Sequence, residues 1–150
     1  MDPETQAGLR ASRAMLGIVA ASVAPALERV SLPHFRVLVL LDNLGPLSVS
    51  ALAEHLGVVV STFSRSLDRL EAGGWVQRAQ GADDRRQVSV SITDAGAGLV
   101  QEVTAVRVRA LQAVFARISG EDRAVLERAF TAFAGAAGEP ELRDVLVLGI

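Results

Sequence analysis

The chain has no cysteine and no tyrosine, and all fifteen basic side chains among its 150 residues are arginine, so lysine is absent as well. Each gap removes a class of chemistry. Without Cys there is no thiol nucleophile, no disulfide, no cysteinyl zinc site and no sensor working by thiol oxidation. Without Lys there is no Walker phosphate loop, no Schiff-base amine and no kinase lysine, because each depends on that ammonium. Only two histidines, His34 and His55, remain for proton transfer or metal binding. No Gly-x-Ser-x-Gly, His-Glu-x-x-His or carboxylate pair stands out, and Glu54 beside His55 points to a different helix face. Two histidines and scattered acids are thin ligands for zinc. We expect no enzyme, no metal and no cofactor.

Strong charge of either sign is also missing. The net charge is −2, which argues against coating nucleic acid by bulk positive charge but leaves room for a local basic surface. Half the residues are apolar and 21% are charged, the balance of a globular chain with enough length for one sizeable core. The longest uncharged stretch, Ala14 to Leu27, is read as too short to span a bilayer. Pro25 interrupts it, and Asp2 and Glu4 precede it. A buried amphipathic helix in a cytoplasmic protein, with no membrane partner, is the expectation.

What is present is punctuation. Residues 4 to 30 have helical periodicity, with Pro25 marking a kink or a break near the end. Ser31 before Leu32-Pro33 opens a second helix that runs to the Asn43-Leu-Gly-Pro46 turn. Ser48 caps a short helix closed by Gly57, and another follows from Val58 to Leu70 with Phe63, Leu67 and Leu70 as its buried stripe. Two short helices joined by a brief Gly-containing turn form a helix-turn-helix pattern. Beyond Gly73-Gly74 the period becomes two. Residues 75–80 and 87–92 read as strands flanking a charged tip, Gly81-Ala-Asp-Asp-Arg-Arg86, a candidate wing. Thr93 caps a long helix to about Ile118, and Ser119 with Asp122 opens a last one that is expected to bury Val125 or Leu126, Phe130 and Phe133. The tail Leu142 to Ile150 is unexpectedly apolar. The fold class is mainly α with a small β-wing.

Three stretches, in this order and spacing, carry a resemblance. They are Ala51-Leu-Ala-Glu-His-Leu-Gly57, Leu67-Asp-Arg-Leu-Glu-Ala-Gly-Gly-Trp-Val-Gln-Arg78 and Asp84-Arg-Arg-Gln-Val-Ser-Val-Ser-Ile-Thr-Asp-Ala-Gly96. Together they resemble the multiple-antibiotic-resistance-regulator (MarR) type of winged-helix transcription factors. The resemblance implies a winged helix-turn-helix over 31–92, with 1–30 and 93–150 forming one intertwined helical dimerisation region. It implies a regulator released by a small molecule held between these parts, in a cleft drawing on the helices of Arg10, Arg13, His34 and Phe35. Lipophilic or aromatic effectors are usual in the family. It also implies Arg86 in the minor groove, oriented by Asp84, with Arg85 facing phosphate.

The residues give their own reading beside it. A recognition helix presents its N-terminal half to base edges, which selects Ser61, Thr62, Ser64 and Arg65, the last able to pair bidentately with guanine. Arg69 and Arg78 are better placed for phosphate, a reading preferred for Arg69 over simple pairing with nearby acids on a solvated face. Trp75 reads as core beneath the wing. His34 and His55 read as ordinary polar residues in preference to ligands. Residues 58–92 hold five arginines against four acids, a net of only +1, so DNA affinity must come from placement. Two apolar faces on the long helix argue for a homodimer. Burying ~500 Å² more at ~25 cal/mol per Å² is worth roughly 12 kcal/mol before association costs. The partners expected are therefore a second copy and a pseudo-palindromic DNA operator, bound as a repressor. A protein-contact module or a small-molecule carrier without specific DNA binding remains the alternative.

Two departures from the family pattern stand out. Gly81 replaces the first Asp of the wing motif, and Val59 replaces the usual Ser or Thr cap of the recognition helix. The second moves the expected helix onset toward Ser61.

Overall fold

A computed structural model describes residues 1–80 and 88–138. The wing tip with Asp84, Arg85 and Arg86, and the apolar tail from Leu142, lie outside the described residues. The described chain runs α1 (Pro3–Leu27), α2 (Leu32–Leu44), β1 (Leu47–Ser48), α3 (Val49–Leu56), α4 (Val60–Ala72), β2 (Val76–Gln80), β3 (Val88–Ile92), α5 (Asp94–Phe115) and α6 (Gly120–Ala137).

Five of the described helices start on a side-chain cap, and four of these caps, Ser31, Ser48, Thr93 and Ser119, were read from the sequence. Asp2 accepts from the Thr5 backbone N–H at 2.7 Å, Ser31 from His34, Ser48 from Ala51, Thr93 from Gly96 and Ser119 from Asp122. Each satisfies one of the orphan donors at a helix N-terminus. At the Ser119 start the carboxylate of Asp122 accepts from the Ser119 hydroxyl at 2.7 Å. α4 is the exception. Val59 precedes it with no side-chain cap, and the helix nevertheless begins at Val60 and does not retreat to Ser61.

The core is built around α2, whose Phe35, Val37, Leu38, Leu40 and Leu41 are all buried. Leu52 of α3, Leu67 and Leu70 of α4, Val76 of β2, Val90 of β3 and Leu99 of α5 join the same cluster. The sheet is antiparallel in the order β1-β3-β2, with Val76 opposite Ile92 and Gln80 opposite Val88. β1 was not foreseen. Its two residues, Leu47 and Ser48, pair with Val90 and Ser89, and two residues are too few to show a period.

The Ile-Thr-x-x-Gly stretch has a packing reason. A Cβ on Gly96 would lie 2.4 Å from the Trp75 carbonyl oxygen and 2.7 Å from Ile92 Cγ1. Only glycine lets α5 start this close to the base of the wing. Thr93 fastens the same junction, its hydroxyl donating to the Gly74 and Trp75 carbonyls, at 2.7 and 3.0 Å.

Two expectations about burial need correction. α1 buries only Ser22, Val23 and Ala26, all near its C-terminal end, and continues through Pro25 to Leu27. α6 buries no residue at all: Val125 and Phe133 are exposed, and Leu126 and Phe130 are half-buried. Both helices carry apolar side chains that the other described residues do not cover. Between the end of α5 and α6 lies an open, mainly apolar groove of about 650 Å³ that includes Phe115, Leu126 and Phe130.

Candidate nucleic-acid interface

α3 ends where Gly57 takes a left-handed conformation, φ 66°, and its N–H returns to the carbonyls of Ala53 and Glu54. That residue belongs where side chains rarely sit, so the turn to α4 is sharp and short. Phe63, Leu67 and Leu70 then anchor α4 on the core at helical spacing. The opposite side faces water: Ser61, Thr62, Arg65, Asp68 and Arg69 are exposed, while Ser64 is half-buried. Ser61, Thr62 and Arg65 thus sit on the open face in the N-terminal half of the helix, where side chains reach base edges in a major groove. His55 is exposed on α3.

Arg78, expected from the sequence to meet phosphate, makes contacts within the chain. Its Nη1 lies 2.7 Å from Asp68 Oδ1 and 3.0 Å from Glu71 Oε2. The Arg78 backbone N–H also donates to Glu71 Oε1 at 3.2 Å, and Nη2 reaches the Ser64 carbonyl at 3.5 Å. The side chain, 25% exposed, is a tie from β2 to α4. The physical reason is that Asp68 and Glu71, three residues apart, share a helix flank and converge on one guanidinium. A consequence is that one positive charge, shared by Asp68 and Glu71, offsets one of the two carboxylate charges near the open face.

Arg69 lies farther along α4 and helps line a cavity of about 500 Å³ with His34, Arg29, Gly73 and Trp75. The Arg29 guanidinium stands 5.1 Å from the Trp75 ring centroid and pairs with Glu102 of α5 at 2.7 Å. Trp75 itself is half-buried and packs against the core, as read from the sequence. Partial burial, and secondarily the Arg69 charge, hold the His34 pKa below its usual 6.5.

The four residues assigned to a ligand cleft do not meet in one chain. Phe35 is fully buried and edges a smaller cavity of about 170 Å³ with Val39, Val103 and Arg107. His34, its neighbour, turns about 100° away into the cavity with Arg69. Arg10 and Arg13 are exposed on α1 and line neither cavity. They sit roughly 20 Å up the helix axis from the buried end. Sequence reading missed Arg29 and Arg107. The latter crosses from α5 to donate from Nε to the Ser22 hydroxyl of α1 at 3.2 Å, and neither spacing nor motif marks such a long-range pair.

Comparison with known proteins supplies the family. A family profile described as "MarR family" matches residues 30–88. The HTH-type transcriptional repressor MdtR of Bacillus subtilis is 32% identical over 113 residues, 75% of this chain and 72% of that protein. The crystal structure of RV1404 from Mycobacterium tuberculosis superposes with a TM-score of 0.78 at 35% identity, covering 93% of this chain and 97% of the other. The chain belongs to the MarR family. That family consists of winged-helix, DNA-binding transcriptional regulators, and the α3-turn-α4 unit with the β2–β3 wing is this member's version of the motif. Similarity is strongest locally. The HTH-type regulator YfiV of Bacillus subtilis is 45% identical over 65 residues, a match spanning 43% of this chain and 41% of YfiV.

Proposed function

We propose that this MarR-family protein is a homodimeric repressor that binds a pseudo-palindromic operator through α4 and the wing. The observation that carries the reading is the open face of α4. Phe63, Leu67 and Leu70 fix the helix to the core while Ser61, Thr62 and Arg65 stand exposed at its N-terminal half. In this reading Ser61, Thr62, Ser64 and Arg65 read bases and Arg69 meets phosphate. Arg86 enters the minor groove under the hold of Asp84, and Arg85 contacts the backbone.

A second copy accounts for the uncovered helices. Leu9, Met15 and Leu16 on α1, Val108 and Val114 on α5, and Val125 and Phe133 on α6 are all exposed in one chain. α1 is long and apolar enough to cross a membrane, judged by length and composition alone. Its exposed apolar side chains match those of α5 and α6, so one partner surface covers all three, in a cytoplasmic protein. The same dimer sets its two recognition helices about one helical turn of DNA apart. A small lipophilic or aromatic effector between the helical and winged parts shifts that spacing, with strength set by its differential affinity for the two states.

Fluorescence anisotropy on DNA flanking the protein's own gene tests this, at low and physiological salt, with Arg65→Ala and Arg86→Ala as controls. Tight binding at one site, resistant to salt and weakened by both substitutions, is the expected outcome. Weak binding that salt erases and neither substitution alters would move the protein to a protein-contact or ligand-carrier role.

A further inference from the structure

The start of α4 does not match the rest of the molecule. The other five described helices each begin on a side chain that accepts from the first turn: Asp2, Ser31, Ser48, Thr93 and Ser119. α4 begins on Val59, which offers no acceptor. Val58, Val59 and Val60 are 45%, 69% and 43% exposed, three adjacent apolar side chains in water at the end of the helix that faces DNA. They immediately precede Ser61 and Thr62, so they stand at the same end of α4 as the proposed base-reading side chains.

We propose that Val59 and Val60 read the C5-methyl groups of thymines in the operator major groove. The inference rests on the DNA-binding reading above and adds a specificity element to it. Among the four bases only thymine presents a methyl on its major-groove edge. The other edges present donors and acceptors that a valine would strip of water without replacing a hydrogen bond. Attraction to thymine and exclusion of guanine, cytosine and adenine thus come from one side chain. β-Branching restricts valine at χ1, so its methyls are held in place before DNA arrives. A polar cap would strengthen the helix start but present a hydroxyl or carboxylate there. Among the described helices the chain forgoes that stabilisation only at α4, the one proposed to enter the groove.

Deoxyuridine differs from thymidine by this methyl alone and keeps the same base pairing. The experiment replaces dT by dU one position at a time in the operator found above and reads affinity by anisotropy. It compares the wild-type protein with Val59→Ser and Val60→Ser. Val59→Ser supplies the missing cap, so its fold is not at risk. The expected result is one or two positions per half-site where dU weakens the wild type about fourfold, the effect of one buried methyl. Changing both half-sites should give on the order of fifteenfold. The dT-to-dU ratio should fall to near one in the serine variant whose side chain made the contact. Equal wild-type affinity for dT and dU at every position overturns the inference while leaving operator binding intact. So does the same ratio in both serine variants as in the wild type. Failure to bind any DNA, with dT or dU, overturns the underlying reading as well.

Discussion

The winged part and the outer helices use the same kinds of residue to opposite effect. In α2, α3, α4 and the sheet, apolar side chains close on one another, and Leu38, Leu40, Leu52, Leu67 and Leu70 have no measurable exposure. In α1 and α6 apolar side chains also recur along the helix, yet Leu16 is 50% and Phe133 73% exposed. Amphipathic pattern therefore tells which face of a helix seeks cover, not whether the cover comes from the same chain. Among the described residues the winged part covers most of its own apolar side chains, while those of α1 and α6 stay largely in water, as the proposed dimer requires.

Perturbations should separate the two regions. The largest effect is expected from Leu67→Ala, which opens a cavity beneath the recognition helix and should cost about 2–5 kcal/mol in urea unfolding. That loss should not depend on protein concentration. Phe133→Glu should do the reverse: it removes no contact from the core but places a charge in the proposed dimer face. A dimer weakened by at least about 2 kcal/mol, seen as monomer in sedimentation at micromolar concentration, is expected. A Phe133→Glu protein as dimeric as the wild type would break the comparison.

Arg78→Ala addresses the tie from β2 to α4 inside the winged part. It leaves Asp68 and Glu71 without their shared cation, and a loss of about 1 kcal/mol is expected in thermal or urea melts. DNA affinity should fall further than stability accounts for, because two uncompensated carboxylates then face phosphate. The smallest effect concerns His34. Its folded pKa lies below the 6.5 of an ordinary histidine, so the folded chain binds fewer protons than the unfolded one. Its contribution to stability is complete above about pH 6.5 and is lost as pH falls through the depressed value. Arg69→Gln removes one of the two causes, so an NMR titration of His34 should show its pKa rise toward 6.5. An unchanged value would leave burial as the only cause.

Much of the winged part was legible because its signals are local. Ser31, Ser48, Thr93 and Ser119 act within one helical turn, and the switch to period two after Gly74 marks the strands directly. The Gly96 position could be named from the motif, but its reason, the Trp75 carbonyl beneath it, is a contact between elements. Arg78 shows what local reading leaves out: its partners within the chain are set by how β2 lies against the helix flank carrying Asp68 and Glu71. Phe35 and His34, both expected around a ligand cleft, line different cavities because neighbours in sequence diverge on a helix. Arg29 and Arg107 make their contacts across more than seventy residues and leave no trace in spacing.

By itself the sequence determined the periods, the caps and the breaks, and through the absence of Cys and Lys it removed whole classes of chemistry. Those properties depend on residues within a few positions of one another and on what a side chain is made of. The tertiary structure alone decided which arginines are exposed on the open face and which are held, and which apolar faces are covered. It also set how three valines come to stand in water at the start of α4. Such outcomes depend on which elements meet, and that is settled by packing across the whole chain.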